Sequence, residues 1–127
     1  PTDGGQVLHA IKNSENIINN LGEVYFSSIG HNVIRAWKFH KKMTLNLIVP
    51  VGSVKFVFYF EEKNKFLEYE IGEKNYCRLT VKPKIWFGFQ GLDIKQNLVM
   101  NIADLEHDQN EMKKKQTKEI EYNWEKR

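Results

Sequence analysis

Arg35, Lys38 and His40 fall within the run Val33 to His40, where Val33, Ile34, Trp37 and Phe39 are the β-branched and aromatic residues that strands favour. Strand interiors rarely carry an arginine, a lysine and an imidazole without a use. An imidazole is the side chain whose ordinary range lies nearest neutrality, so His40 is the expected base. Lys38 needs burial, or Arg35 beside it, to bring its amine down to a useful range, and as a cation it can hold a developing anion. Lys38 and His40 share even parity and so one strand face, whereas Arg35 is odd and faces away unless a bulge or a barrel rim re-aims it. Thr44 and Asn46 continue the even parity on the next strand and are expected in the same pocket. Glu106, in the dense cluster Glu106-His107-Asp108, is the expected acid, while Asp108 also reads as a helix cap.

The elements that must position these groups are strands. Glu23 to Ile29 forms one, closed by the turn Gly30-His31-Asn32, and Val33 to His40 is the next. Leu45 to Gly52 and Val54 to Phe60 join through a glycine turn, and Glu61 to Lys65 makes a charged hairpin. Phe66 to Ile71 alternates with period two, Tyr76 to Val81 continues until the break at Pro83, and Ile85 to Gln90 and Asn97 to Ala103 follow. Short strands at this spacing indicate an all-β sandwich or barrel, with Tyr25, Phe56, Phe58 and Phe60 in its core. Glu111 to Lys126 alone resembles a helix, yet Ile120, Tyr122 and Trp124 recur every second residue, which suggests an extended tail pinned to the barrel.

A chain of 127 residues is long enough to bury a core without disulfides or metals, and one domain is the expectation. Its expected parts are an N-terminal arm (1–20), a barrel (22–104) and a short charged C-terminal extension (105–127). No apolar run approaches the roughly 18 residues of a spanning helix, so no membrane partner is expected. Cys77 is the only cysteine, which excludes an internal disulfide and reads as a small buried hydrophobe. The chain opens at Pro1, so either a Met was removed or the natural start lies upstream; a cytoplasmic location is the expectation. A net charge of +3 could attract nucleic acid, but acidic residues are interspersed, and Lys113-Lys114-Lys115 is followed by Glu119, Glu121 and Glu125. No nucleic-acid partner is expected.

The order Arg35-Ala36-Trp37-Lys38-Phe39-His40, a strand closing on Gly52, then Pro83 through Phe89, resembles the cupin proteins of sugar-nucleotide metabolism. The resemblance runs from about Gly22 to Trp124. It lies with the dTDP-4-dehydrorhamnose 3,5-epimerase family, the dTDP-sugar 3,4-ketoisomerases being next. It implies a cupin, that is, a double-stranded β-helix or jelly-roll barrel. It also implies Arg35 on the nucleotide diphosphate, which a guanidinium suits by two-point contact. The catalytic histidine of the epimerases falls at Lys38, their glutamine at His40, their second histidine at Phe87 and their acid tyrosine near Leu105 or Glu106. The ketoisomerase pattern, with histidines at both places, matches His40 directly. The acidic partner of the catalytic histidine is expected beyond Trp124.

The cupin metal ligands fall at Lys38, His40, Leu45 and Phe87 or Gly88, a set unable to hold such a metal, so no metal or other cofactor is expected. The resemblance then implies a metal-independent, 3,5-epimerase-like isomerase acting on a nucleotide-linked 4-keto-6-deoxy hexose by proton abstraction beside the keto group. The setting it implies is cytoplasmic carbohydrate biosynthesis such as that of lipopolysaccharide. His40 is expected to be the base or else a satisfied core imidazole, Lys38 to hold the enolate oxygen or else to be a rim cation, Arg35 to meet the diphosphate or else to pair with an acid at the surface or dimer interface, and Trp86 to stack on a base or sugar or to pack in the core; the nucleotide sugar is the expected partner. The alternatives are a 3,4-ketoisomerase and a sugar-nucleotide-binding or regulatory cupin that kept the pocket and lost the chemistry. A homodimer is implied, with His9 where the family's N-terminal strand carries a glutamate into the partner's pocket.

Overall fold

The computed structural model describes residues 4–125; Pro1, Lys126 and Arg127, named above, lie outside the described residues. Among the described residues nine strands follow one another: β1 (Glu23–Ile29), β2 (Ile34–His40), β3 (Leu45–Val51), β4 (Ser53–Phe60), β5 (Lys65–Gly72), β6 (Leu79–Val81), β7 (Trp86–Gly91), β8 (Asn97–Ala103) and β9 (Met112–Lys114). They form two antiparallel sheets, one ordered β1-β8-β3-β6 and the other β5-β4-β7-β2-β9. This is the all-β cupin architecture, and no α-helix occurs among the described residues.

The period-two pattern decides which side chains enter. Val54, Phe56 and Phe58 of β4, Phe87 and Phe89 of β7, and Leu45, Leu47 and Val49 of β3 meet between the sheets with Ile29, Val99 and Ala103. The turn from β3 to β4 rests on Gly52 at φ +81, where a Cβ would stand 2.2 Å from the Gln96 carbonyl oxygen. No other residue type fits there.

Residues 111–125 form no α-helix. Single helical turns at Gln109–Glu111 and Thr117–Glu119 flank β9, and the remainder runs extended across the back of the five-stranded sheet. Every-second-residue spacing wins because the sheet offers an apolar face: Ile120 and Trp124 are buried there with Trp37, Val57 and Trp86. Gly88 permits this seat, since a Cβ on it would lie 3.1 Å from the Trp124 ring and 2.5 Å from the Ala36 Cβ. Cys77, read as buried, is exposed, because it lies in the loop ahead of β6 and outside both sheets.

Candidate functional site

A cavity of about 320 Å³ lies between the sheets, and its cationic wall comes from β2. Strand parity would turn Arg35 away from Lys38 and His40, but β2 carries a bulge. Ala36 pairs with Gly88 and Lys38 with Phe87, so Trp37 is the extra residue. Its backbone pairs instead with Lys115 of the tail, and its indole N–H donates to the Thr117 carbonyl. One inserted residue resets the phase, and Arg35, Lys38 and His40 all line the cavity.

His40 is 8% exposed and lies stacked against Phe87, with 6.1 Å between ring centroids. Its Nδ1 is 2.7 Å from Oε1 of Glu111, which is 7% exposed. The other oxygen of Glu111 accepts from the backbone N–H groups of Lys42 and Met43 at 3.0 and 2.9 Å. Burial pushes the Glu111 carboxyl up, but these hydrogen bonds, that from His40 foremost, outweigh it and hold the group below the usual carboxylate range. Glu111 is therefore an anion that takes Nδ1–H from His40, leaving Nε2 as the ring nitrogen for the cavity.

Lys38 remains exposed at the mouth, yet its amine end is partly desolvated. That desolvation, followed by the charges of Lys114 and Arg35, lowers its pKa. Lys38 and Lys114 are directly paired across β2 and β9, whereas the Lys115 amine turns to the opposite face, over the Trp86 ring. Like charges set opposite one another cost stability, so this rim gains when an anion lies between them. From the four-stranded sheet, Tyr25 of β1 and Asn101 of β8 face the cavity, joined by a hydrogen bond of 3.0 Å from the Asn101 amide to the Tyr25 hydroxyl.

No family model matches the chain, and no curated protein matches it. Among solved structures, a dTDP sugar isomerase from Desulfovibrio desulfuricans G20 superposes with a TM-score of 0.91 at 30% identity, over 98% of this chain and 85% of that one. The chain belongs to the cupin-fold family of dTDP-sugar epimerases and isomerases. Two family folds at 20% identity agree. The dTDP-4-dehydrorhamnose 3,5-epimerase of Sulfolobus tokodaii has a TM-score of 0.81 over 96% of this chain and 75% of that one. The sugar 3,4-ketoisomerase QdtA of Thermoanaerobacterium thermosaccharolyticum, solved with TDP, has a TM-score of 0.65 over 79% and 71%.

Several residues expected at the site of this family member stand elsewhere. Thr44 and Asn46 face the outside of the four-stranded sheet, beside Ile17, Ile18 and Asn19, because Met43 turns inward and resets the phase so that Leu45 and Leu47 point in. Asn46 is satisfied there by Thr80 and the Ile102 carbonyl. Glu106 is exposed in a separate depression with Lys41 and Lys42; its neighbour His107 lines the cavity instead. Trp86 packs on the back face against Phe39, 5.1 Å between centroids, with the Lys115 amine 4.7 Å above its ring. His9 is exposed on an arm that lies along its own chain, where its carbonyl accepts from Tyr76 and Arg78 pairs with Glu15. Asp108 caps the turn that delivers Glu111, accepting from the Asn110 N–H.

The sequence reading missed Glu111, Tyr25 and Asn101. Tyr25 was legible as an inward residue but looked like core. Asn101 breaks an apolar alternation in β8, and that signal was present. Among the described residues no cluster of three or more His, Cys, Asp or Glu could hold a metal ion.

Proposed function

We propose that the protein epimerises a nucleotide-linked 4-keto-6-deoxy hexose by proton abstraction beside the keto group. The observation that carries this is the buried His40–Glu111 pair opening onto a cavity with a cationic rim. His40 Nε2 takes the proton from carbon as the C–H bond breaks, and the electron pair moves to the carbonyl oxygen. Glu111 holds the ring and balances the imidazolium that forms. Lys38 stabilises the enolate oxygen, while Arg35 and Lys114 take the diphosphate. Tyr25 reaches the cavity from the sheet opposite β2 and returns a proton to the other face of the ring, which inverts the carbon; His40 and Tyr25 then exchange protons with water.

Deuterium wash-in tests this. In D₂O, a dTDP-4-keto-6-deoxyhexose should gain deuterium at C3 or C5 with inversion. Binding of dTDP without exchange would leave a sugar-nucleotide-binding cupin, and migration of the keto group to C3 would make it a ketoisomerase.

The same reading places the protein in the cytoplasm, in carbohydrate biosynthesis such as that of lipopolysaccharide, and makes it a homodimer. Support for the dimer comes from β1, an edge strand whose neighbourhood exposes Leu21, Val24 and Phe26. Sedimentation as a monomer at micromolar concentration would overturn it.

A further inference from the structure

The wall facing His40 holds a polar group that the proton-transfer chemistry does not use. Three asparagines, Asn46, Asn97 and Asn101, are buried. Two of them are spent inside the protein. Asn97 accepts from the Ser53 and Asp93 N–H groups and donates to the Ile29 and Asp93 carbonyls. Asn46 accepts from Thr80 and donates to Ile102. Asn101 differs: it is 2% exposed and donates to Tyr25, and its Oδ1 has no partner among the described residues.

That oxygen belongs to a side chain lining the cavity, between Tyr25 on β1 and Leu47 on β3, its cross-strand partners. Its neighbours along β8 on the same face, Val99 and Ala103, are apolar. A buried acceptor in such a wall has lost its water and regains the cost only when a donor arrives. The anionic parts of a nucleotide sugar offer no donor to it. The hydroxyls of the sugar ring do, and a 4-keto-6-deoxy hexose has them at C2 and C3.

We propose that Asn101 is a specificity-determining residue whose Oδ1 accepts a hydrogen bond from a ring hydroxyl of the keto sugar, so that the site selects hexoses bearing that hydroxyl over their deoxy analogues. The inference rests on the epimerase reading of this cavity. Holding Tyr25 is the other half of the same device. Its phenol oxygen receives the Asn101 amide, which leaves the O–H to be donated, so the residue that reads the sugar also aims the acid.

The test compares the parent dTDP-4-keto-6-deoxyhexose with its 2-deoxy and 3-deoxy analogues by deuterium exchange at C5, a position all three retain. For the unaltered protein, at least one analogue should lose about 100-fold in kcat/KM. In Asn101→Leu, with folding checked by melting temperature, that penalty should shrink below about fivefold, because the acceptor left stranded by the deoxy analogue is gone. Equal rates for all three sugars in the unaltered protein would overturn the proposal without need of a folded variant, as would a penalty that survives in Asn101→Leu. Absence of exchange in every sugar would instead sink the epimerase reading on which it stands.

Discussion

The two faces of the five-stranded sheet are made by the same strands and are packed to opposite ends. The back is filled: Trp37 and Trp124 lie 5.4 Å apart between centroids, Tyr122 and Trp124 4.9 Å, and Phe66 and Tyr122 5.1 Å. Even a lysine on that face, Lys55, is buried, donating to the Trp124 carbonyl and lying within 5.6 Å of two ring centroids. The front is left open, with Arg35, Lys38 and His40 around a cavity of about 320 Å³. The residue that divides them is Trp37. By leaving the ladder it carries its indole to the back and turns its charged neighbours to the front. Packing on one side holds the cavity side chains of the other in place, since positioned groups need supporting packing.

The sharpest way to break this comparison is a crossed pair of substitutions. His40→Asn should cost about a thousandfold in the rate of deuterium exchange but only about 1–2 kcal/mol in denaturant unfolding, the worth of the hydrogen bond lost to the buried Glu111. Trp124→Ala should do the reverse, costing about 3–5 kcal/mol in denaturant unfolding, with exchange per folded molecule within about tenfold. If each variant damaged both properties equally, the two faces would not be separable.

Glu111→Gln probes the junction, because Glu111 rides on the segment just before β9 while serving the front. Exchange should fall about 10- to 100-fold, the range for losing a group that orients a base. The pH dependence has a definite sign. The Glu111 carboxyl is held below its usual range in the folded state, so its stabilisation is present above the unfolded value and is lost as pH falls through the lower folded one. Melting temperatures measured down through the carboxylate range should converge for Glu111→Gln and the parent, and parallel curves would show that the carboxylate contributes nothing.

Lys114→Ala should have a smaller effect. With Lys114 gone, the Lys38 amine loses one of the two cations that lower its pKa, so the alkaline limb of the pH–rate profile should move upward. An unmoved limb would separate Lys38 from the rate. Smallest of all is Glu106→Gln, expected to leave exchange within about twofold because Glu106 is exposed outside the cavity. A large loss there would mean that the reacting atoms sit elsewhere.

Strand positions were readable because period-two alternation and turn residues are local: β1, β3, β4, β5, β7 and β8 fall within a residue or so of the runs seen in the sequence. The tail was readable in part, from the spacing of Ile120, Tyr122 and Trp124. The side on which residues face was readable only while the phase held. It failed at Thr44 and Asn46, where the connection before β3 resets it, and it left Arg35 undecided, because a bulge leaves no mark in composition. Family spacing puts the acidic partner of the catalytic histidine, whose place Lys38 takes, beyond Trp124, and it gives no sign that His40 is paired with Glu111 from the turn before β9.

The amino-acid sequence by itself determined an all-β chain of the sugar-nucleotide cupin kind with a cationic strand at its centre, since alternation, turn chemistry and residue type act over a few neighbouring positions. Tertiary structure decided that Arg35, Lys38 and His40 share one cavity, that Glu111 closes on His40 across 71 positions, and that Tyr25 and Asn101 stand opposite. Those outcomes depend on a bulge and on the closing of two sheets, and both are set by which distant strands pair.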